Sequence, residues 1–487
     1  MNEIPPAPID LPPTTEPAIA PRAAMFIVFL VVFIDLLGFG IVLPLLPRYA
    51  KEYLGPAGVS ETAGGFLIGV LYSSFSLMQF LVAPIWGRIS DRIGRRPILL
   101  IGLGGSVLFY ALFGLASELS PAQHAWPALG LLFLSRIGAG IAGATISTAA
   151  AVIADCTTKE KRAHGMALIG AAFGIGFTFG PLIAFAAVTW FPDARGAPGY
   201  LAAALSLVAL VLGIRLLPET RRPHAAAEAR ISNRHMTGGL ATETHQLPTA
   251  AEARPSWYNL LHGLGRTLQT PTVGLLVLTF FLATFAFANF EATLSLLTAE
   301  AFHYGNDDNF LIFAYIGFVL VVAQGYAYRK LVKTLDEVTL MRIGIGLMFL
   351  GLANLALIAA TASGLRPSTD PFAHVVDKVQ QSFPGWLMAW FLVTLAVAVF
   401  GFAFLNPSIQ GLISKRSDPN RQGEVLGVNQ SFSALARILG PVAGLTLFSL
   451  EGRHMLPYLF AATLLGVVLM LLPRIQREPS SAAPASD

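Results

Sequence analysis

Four ionisable residues stand inside long apolar runs of this 487-residue chain: Asp35, Arg136, Glu291 and Arg437. A charge at mid-bilayer costs about 2.5–3.5 kcal/mol on insertion scales, so such residues mark sites for protons, ions or ligands. A carboxylate can take up and release a proton. An arginine offers forked donors to that carboxylate or to an anionic ligand. At about 1.5 Å per residue, Arg437 is central in its run, whereas Glu291 lies toward one end of its own. Glu291 therefore suits either an exposed interfacial carboxylate or a partner for Arg437. Gln79, Asn289, Gln324, Asn406 and Gln410 are polar within or at the ends of such runs, as cavity lining or as helix-to-helix hydrogen bonds.

A second cluster is the segment Gly87-Arg-Ile-Ser-Asp-Arg-Ile-Gly-Arg-Arg96. Gly87 and Gly94 permit a tight turn against neighbouring helices. Asp91 suits the free N–H groups of a helix start, where the dipole favours an anion. Arg92, Arg95 and Arg96 supply donors for carboxylates.

Other chemistries lack their residues. No Walker-type loop appears, so ATP does not drive the protein directly. The glycines around Gly174 to Gly180 have no preceding strand and read as helix packing, not a dinucleotide site. No HExxH, GxSxG or paired-cysteine motif occurs, and the single cysteine, Cys156, excludes an internal disulfide or Cys-based metal site. These absences predict no enzyme, no cofactor and no metal.

The elements that carry the charges follow from composition. The chain is 54% apolar and 12% charged, with a mean hydropathy of +0.64, where soluble domains carry about 25% charge. This excludes a soluble enzyme and a nucleic-acid binder. Apolar runs of about 20 residues fall near 24–47, 64–86, 97–117, 127–152, 165–190, 199–217, 271–299, 308–328, 337–363, 384–410, 424–450 and 454–473. The fold class expected is an all-α polytopic membrane protein of twelve transmembrane helices. A Pro-rich segment, 1–22, reads as a disordered tail, as does 474–487. Residues 218–270 read as a solvated linker between a six-helix half at 23–217 and another at 271–473. With both termini in the cytoplasm, that side holds 24 of the 32 Lys and Arg residues against six opposite, as the positive-inside rule requires.

The halves repeat each other. Gly180-Pro181 in the fifth span and Gly440-Pro441 in the eleventh align at an offset of 260. Two parallel six-helix halves are the architecture of alternating-access transporters.

The loop Gly87–Arg96 matches the pattern G-x-x-x-D-R-x-G-R-R, and here the chain resembles the major facilitator superfamily. The resemblance implies that Asp91 and Arg92 latch the halves together in the outward-facing state, with Asp155 relaying charge to the loop arginines. Arg136-x-x-x-Gly140-x-x-Gly143-Ala-Thr, the Asp35-Leu-Leu-Gly stretch and Gly176-x-x-x-Gly180-Pro181 are similar to the tetracycline-efflux branch of twelve-span drug:proton antiporters. Ala184 and Phe185 stand where that branch's motif usually continues to a paired glycine, and Ala139 where glutamine is common. Asp35 and Arg136 both lie near mid-membrane by depth, and in this superfamily spans one and four line the cavity. A switchable Asp35–Arg136 pair is expected, with a permanent structural ion pair as the other reading.

The expected function is secondary active export of a small amphiphilic compound, driven by the proton gradient, by a monomer in the inner membrane. The partners are substrate, protons and lipid, without ATP or nucleic acid. A nutrient symporter or uniporter remains open. A non-transporting sensor or scaffold is the other class, against which the presence of Asp35 and Asp91 counts.

Overall fold

The computed structural model describes residues 21–157, 162–220, 271–364, 385–417, 422–450 and 454–476. Nearly all of the expected tails and of the linker lie outside the described residues, though 21–22 and 474–476 extend the first and last helices rather than the tails. Ten described helices are long and apolar enough to cross a membrane, and two shorter apolar stretches, Gly174–Trp190 and Leu456–Leu472, bring the number to the expected twelve.

The first half comprises α1 (Pro21–Val42), α2 (Leu46–Leu54), α3 (Glu61–Ile93), α4 (Arg95–Glu118), α5 (Pro121–Ala142), α6 (Ile146–Asp155), α7 (Arg162–Trp190) and α8 (Ala197–Leu216). The second comprises α9 (Pro271–Glu300), α10 (Asn306–Val322), α11 (Glu337–Gly364), α12 (Gly385–Arg416), α13 (Gln422–Leu450) and α14 (Leu456–Gln476).

Three spans are interrupted, each for a local reason. Pro44 cannot donate to a helical ladder, so α1 ends in a turn. Pro47 then sits in the first turn of α2, where a missing N–H costs nothing. The fourth span tightens at Gly143–Thr145 between α5 and α6. The Gln79 amide donates to Gly143 O (3.0 Å) and the Trp86 indole to Ile141 O (2.8 Å), satisfying carbonyls at the break. The eighth span passes from α10 into a π-helical stretch, Ala323–Tyr328.

Within each half, glycines bring helices to backbone contact. A Cβ on Gly180 of α7 would stand 2.8 Å from the Gly40 carbonyl carbon of α1, and one on Gly40 would stand 2.9 Å from Gly176 O. In the second half a Cβ on Gly440 of α13 would stand 2.8 Å from Phe285 O of α9. The sequence repeat at Gly180 and Gly440 is therefore also a structural one, with Pro181 and Pro441 inside the helices.

Between the halves, α3 packs on α13, α7 on α10 and α2 on α9. Along α3 the stripe Gly65, Gly69 and Ser73 meets Ser449, Val442 and Ile438 of α13, with the Ser73 hydroxyl donating to Ile438 O at 2.6 Å. Continued toward the arginine-rich end, the same stripe reaches Leu77, Phe80 and Leu81, which are 37%, 38% and 51% exposed. Leu435 on α13 is likewise exposed. The halves thus close on each other at the end remote from the Gly87–Arg96 loop and part toward it.

Candidate functional site

The interior charges lie where the halves face each other. Arg136 on α5 is 2% exposed. Its guanidinium stands over the Phe75 ring (4.6 Å to the centroid) and the Phe39 ring (5.6 Å). Its Nε and Nη1 atoms have no hydrogen-bond partner among the described residues. Cation–π contact is worth at most about 2 kcal/mol, less than the several kcal/mol that desolvating an ion costs. The guanidinium is therefore electrostatically unsatisfied by these neighbours. Asp35 lies on α1 one turn before Phe39, but its side chain is outside the described residues, and so is the expected Asp35–Arg136 pair.

Tyr72 on α3 lies within electrostatic reach of both Arg136 and Glu291, and its buried hydroxyl has no partner among the described residues. Glu291 on α9 is half-buried and within electrostatic reach of Arg437 on α13. The Arg437 guanidinium donates to Ser433 Oγ at 3.2 Å and is itself exposed. Arg136, Tyr72, Glu291 and Arg437 thus form a polar succession from one half to the other. Glu291 is half-buried rather than exposed, and no ion pair joins it to Arg437 among the described residues.

At the arginine-rich end the structure alters three expectations. The α3 helix continues through Gly87 to Ile93, so Gly87 makes no turn, and a Cβ there would meet nothing within 4 Å. Gly94 alone makes the turn, at φ +111°. Asp91 does not cap the next helix. It sits in the last turn of α3 and pairs with Arg95 (2.5 Å), which also reaches Asp155 (3.4 Å) and Ser90 Oγ (2.8 Å). The start of α4 is capped instead by Glu219, whose carboxylate accepts from the Arg95 and Arg96 amides at 2.9 and 3.1 Å. Arg96 donates to Ile214 O at the end of α8. Arg92 is exposed, and no ion pair joins Asp91 or Arg92 to the other half among the described residues. The latch expected for the outward-facing state is not engaged in this one.

The remaining polar expectations divide. Gln79 is a helix-to-helix bond, as described above. Asn289 is fully buried and its amide donates to Pro457 O at 3.2 Å, joining α9 to α14. Gln410 donates to Asn406 Oδ1 at 2.7 Å within α12, and Gln324 is half-buried in the π-helical stretch.

The closed end contains contacts between the halves made by residues that lie outside the apolar runs of the first half. Arg48 of α2 is 8% exposed and inserts into the second half. Its Nη2 donates to Thr298 Oγ1 (2.8 Å), its Nη1 to Tyr304 O (2.9 Å) and Asn306 Oδ1 (3.3 Å), and its Nε to Ser295 O (3.0 Å). The Ser295 hydroxyl and the Asn309 amide in turn donate to Pro44 O, at 2.6 and 3.1 Å. Lys51 pairs with Glu300 across the halves, and Arg195 with Glu52 within the first. The one sequence signal was Ser295 and Thr298, spaced to present hydroxyls on one face of α9.

A model of the Major Facilitator Superfamily matches residues 28–441. The class E tetracycline resistance protein of Escherichia coli is 31% identical over 420 residues, covering 86% of each chain. Major facilitator superfamily domain-containing protein 10 of Homo sapiens is 27% identical over 463 residues, covering 89% of each. Among solved structures, the human organic anion transporter MFSD10 superposes with a TM-score of 0.59 at 24% identity, covering 94% of this chain and all of that one. A D-xylose-proton symporter superposes with a TM-score of 0.68 at 16% identity, covering 94% and 98%.

Proposed function

This chain belongs to the major facilitator superfamily, a family of transporters and not of enzymes, and from that premise we propose that it exports a small amphiphilic compound by alternating access, coupled to proton uptake. The observation that carries the reading is Arg136: a desolvated guanidinium between aromatic faces, with two nitrogens unpartnered among the described residues. A group held this way demands an anion, and Asp35 on the neighbouring α1 is the carboxylate proposed to supply it. Protonation of Asp35 then frees Arg136, and a cationic cargo competes for the same carboxylate. The similarity to tetracycline resistance proteins supports export. One elementary charge moving through 100 mV releases about 2.3 kcal/mol, roughly a fiftyfold gradient, so a single proton suffices to drive concentration.

The arginine-rich end is taken as cytoplasmic, from the bias of Lys and Arg toward it, with both termini on that side of the cell membrane. The structure is then inward-open. The second reading is transport of an organic anion, favoured because Arg136 and Arg437 together offer two cations to one interior. The similarity to the MFSD10 organic anion transporter points the same way.

Proton flux in energised inside-out vesicles separates these. A pH-sensitive dye would report on a panel of amphiphilic cations, tetracyclines and organic anions, with wild type or Asp35→Asn protein. Cation-dependent collapse of the pH gradient in wild type alone supports antiport through Asp35. A response confined to anions moves the second reading forward. A full response from Asp35→Asn refutes the coupling role of Asp35.

A further inference from the structure

His454 lies between α13 and α14 at the closed end. It is buried, its backbone sits at φ +57°, and its ring stacks on Phe448 with centroids 4.2 Å apart. Nδ1 has a hydrogen-bond partner, whereas Nε2 is buried at ion-pair distance from a carboxylate without hydrogen-bond alignment to it. Nδ1 is 3.3 Å from Phe448 O, and Nε2 is 3.2 Å from Glu300 Oε2. An imidazolium at this place faces the Glu300 carboxylate as its counter-charge.

The other oxygen of Glu300 belongs to Lys51, which comes from the opposite half. We propose that His454 is a proton-binding site of the closed-end gate, and that its protonation favours opening of that gate. The groups facing it are few. From α9 the facing charge is Glu300, from α2 Lys51 reaches the same carboxylate, and from α14 Tyr458 lies within electrostatic reach of Glu300. The α13 contact is the Phe448 ring and carbonyl. Glu451 and Arg453 lie outside the described residues.

The direction follows from linkage. With the gate closed, imidazolium and ammonium share one carboxylate and repel each other. With the gate open, Lys51 has withdrawn with its half, while Glu300 and His454 stay together on theirs. The imidazole thus holds its proton more tightly in the open state, so protonation must shift the population toward opening by the same factor. A neutral His454 leaves Glu300 to Lys51 and strengthens closure. This site is independent of the Asp35 coupling proposed above.

The test is the distance between spin labels at Glu61→Cys and Leu311→Cys, exposed positions near the closed end of the two halves, in a Cys156→Ser background in nanodiscs. Lowering pH from about 8 to about 5.5, across the usual histidine range, is expected to raise the ratio of open to closed gate about fivefold, the low end of measured couplings. His454→Asn keeps a residue that tolerates positive φ and is expected to abolish the shift. Lys51→Gln alters a half-exposed side chain without threatening the fold and is also expected to abolish it, while Lys51→Arg retains it. Asp35→Asn is expected to keep the shift even where coupled transport is lost. A wild-type response in His454→Asn or in Lys51→Gln overturns the proposal, as does a flat response in wild type.

Discussion

Replacing Arg48 by methionine tests whether the closed end is a latch. Methionine keeps the apolar stem and removes every donor. Three of the lost bonds are at 3.0 Å or less: to Thr298 Oγ1, Tyr304 O and Ser295 O. At about 1 kcal/mol net for each, closure loses about 3 kcal/mol, on the order of a hundredfold in the ratio of closed to open gate. In the open state the guanidinium is hydrated and contributes nothing to the contact, so the loss falls on the closed state alone. Hydrogen exchange read by mass spectrometry localises the effect. Deuterium uptake should rise in peptides covering 43–54 and 292–306 and stay unchanged in α4 and α8. Uniform acceleration across the protein would mean that Arg48 only stabilises the fold, and no change at 292–306 would refute the latch.

Three further outcomes follow from the same contacts. Gly87→Ala, in open space within a helix, should stabilise by about 0.5–1 kcal/mol, whereas Gly94→Ala, at φ +111° and 2.3 Å from Glu219 Oε2, should cost about 1–3 kcal/mol, both measured by thermal melting in detergent. Gly180→Ala drives a methyl into the Gly40 backbone and should cost about 1–3 kcal/mol as overpacking; an unchanged melting temperature would refute the α1–α7 contact. Arg136→Leu combined with Asp35→Asn removes the desolvated cation and the carboxylate proposed to pair with it, and should leave the melting temperature within a few degrees of wild type, while vesicle transport falls to background.

The interior charges were legible because each interrupts an apolar run, and a run of that length has one environment. Arg136, Glu291 and Arg437 needed no structure to be noticed. Asp91 was misread for a different reason. Hydropathy reports where a helix crosses the bilayer, not where it ends, and α3 runs on to Ile93 in polar sequence. That extension moves Asp91 from the start of one helix to the last turn of another and passes the capping role to Glu219. Arg48 and Glu300 fall just outside the apolar runs and His454 at the edge of one, with partners remote in sequence; Arg48 and Ser295 are 247 residues apart. No local pattern encodes a pairing made only when two halves meet.

The kinds of contact differ within and between the halves, and that difference bears on mechanism. Within a half, α1 meets α7 through backbone contact at Gly40, Gly176 and Gly180, so separation there would expose apolar surface. Between the halves the closed end adds, to the packing of α3 on α13 at Gly65 and Gly69, the polar contacts of Arg48, Lys51 and several hydroxyls, groups that water satisfies once the halves part. A partly exposed pair such as Lys51–Glu300 contributes about 0–1 kcal/mol, and Arg48 about 3 kcal/mol by the estimate above. These polar contacts alone contribute a margin smaller than the about 5.5 kcal/mol that takes a two-state population from 1:99 to 99:1. At the other end, Arg92 and Asp91 stand exposed, with no ion pair to the second half among the described residues.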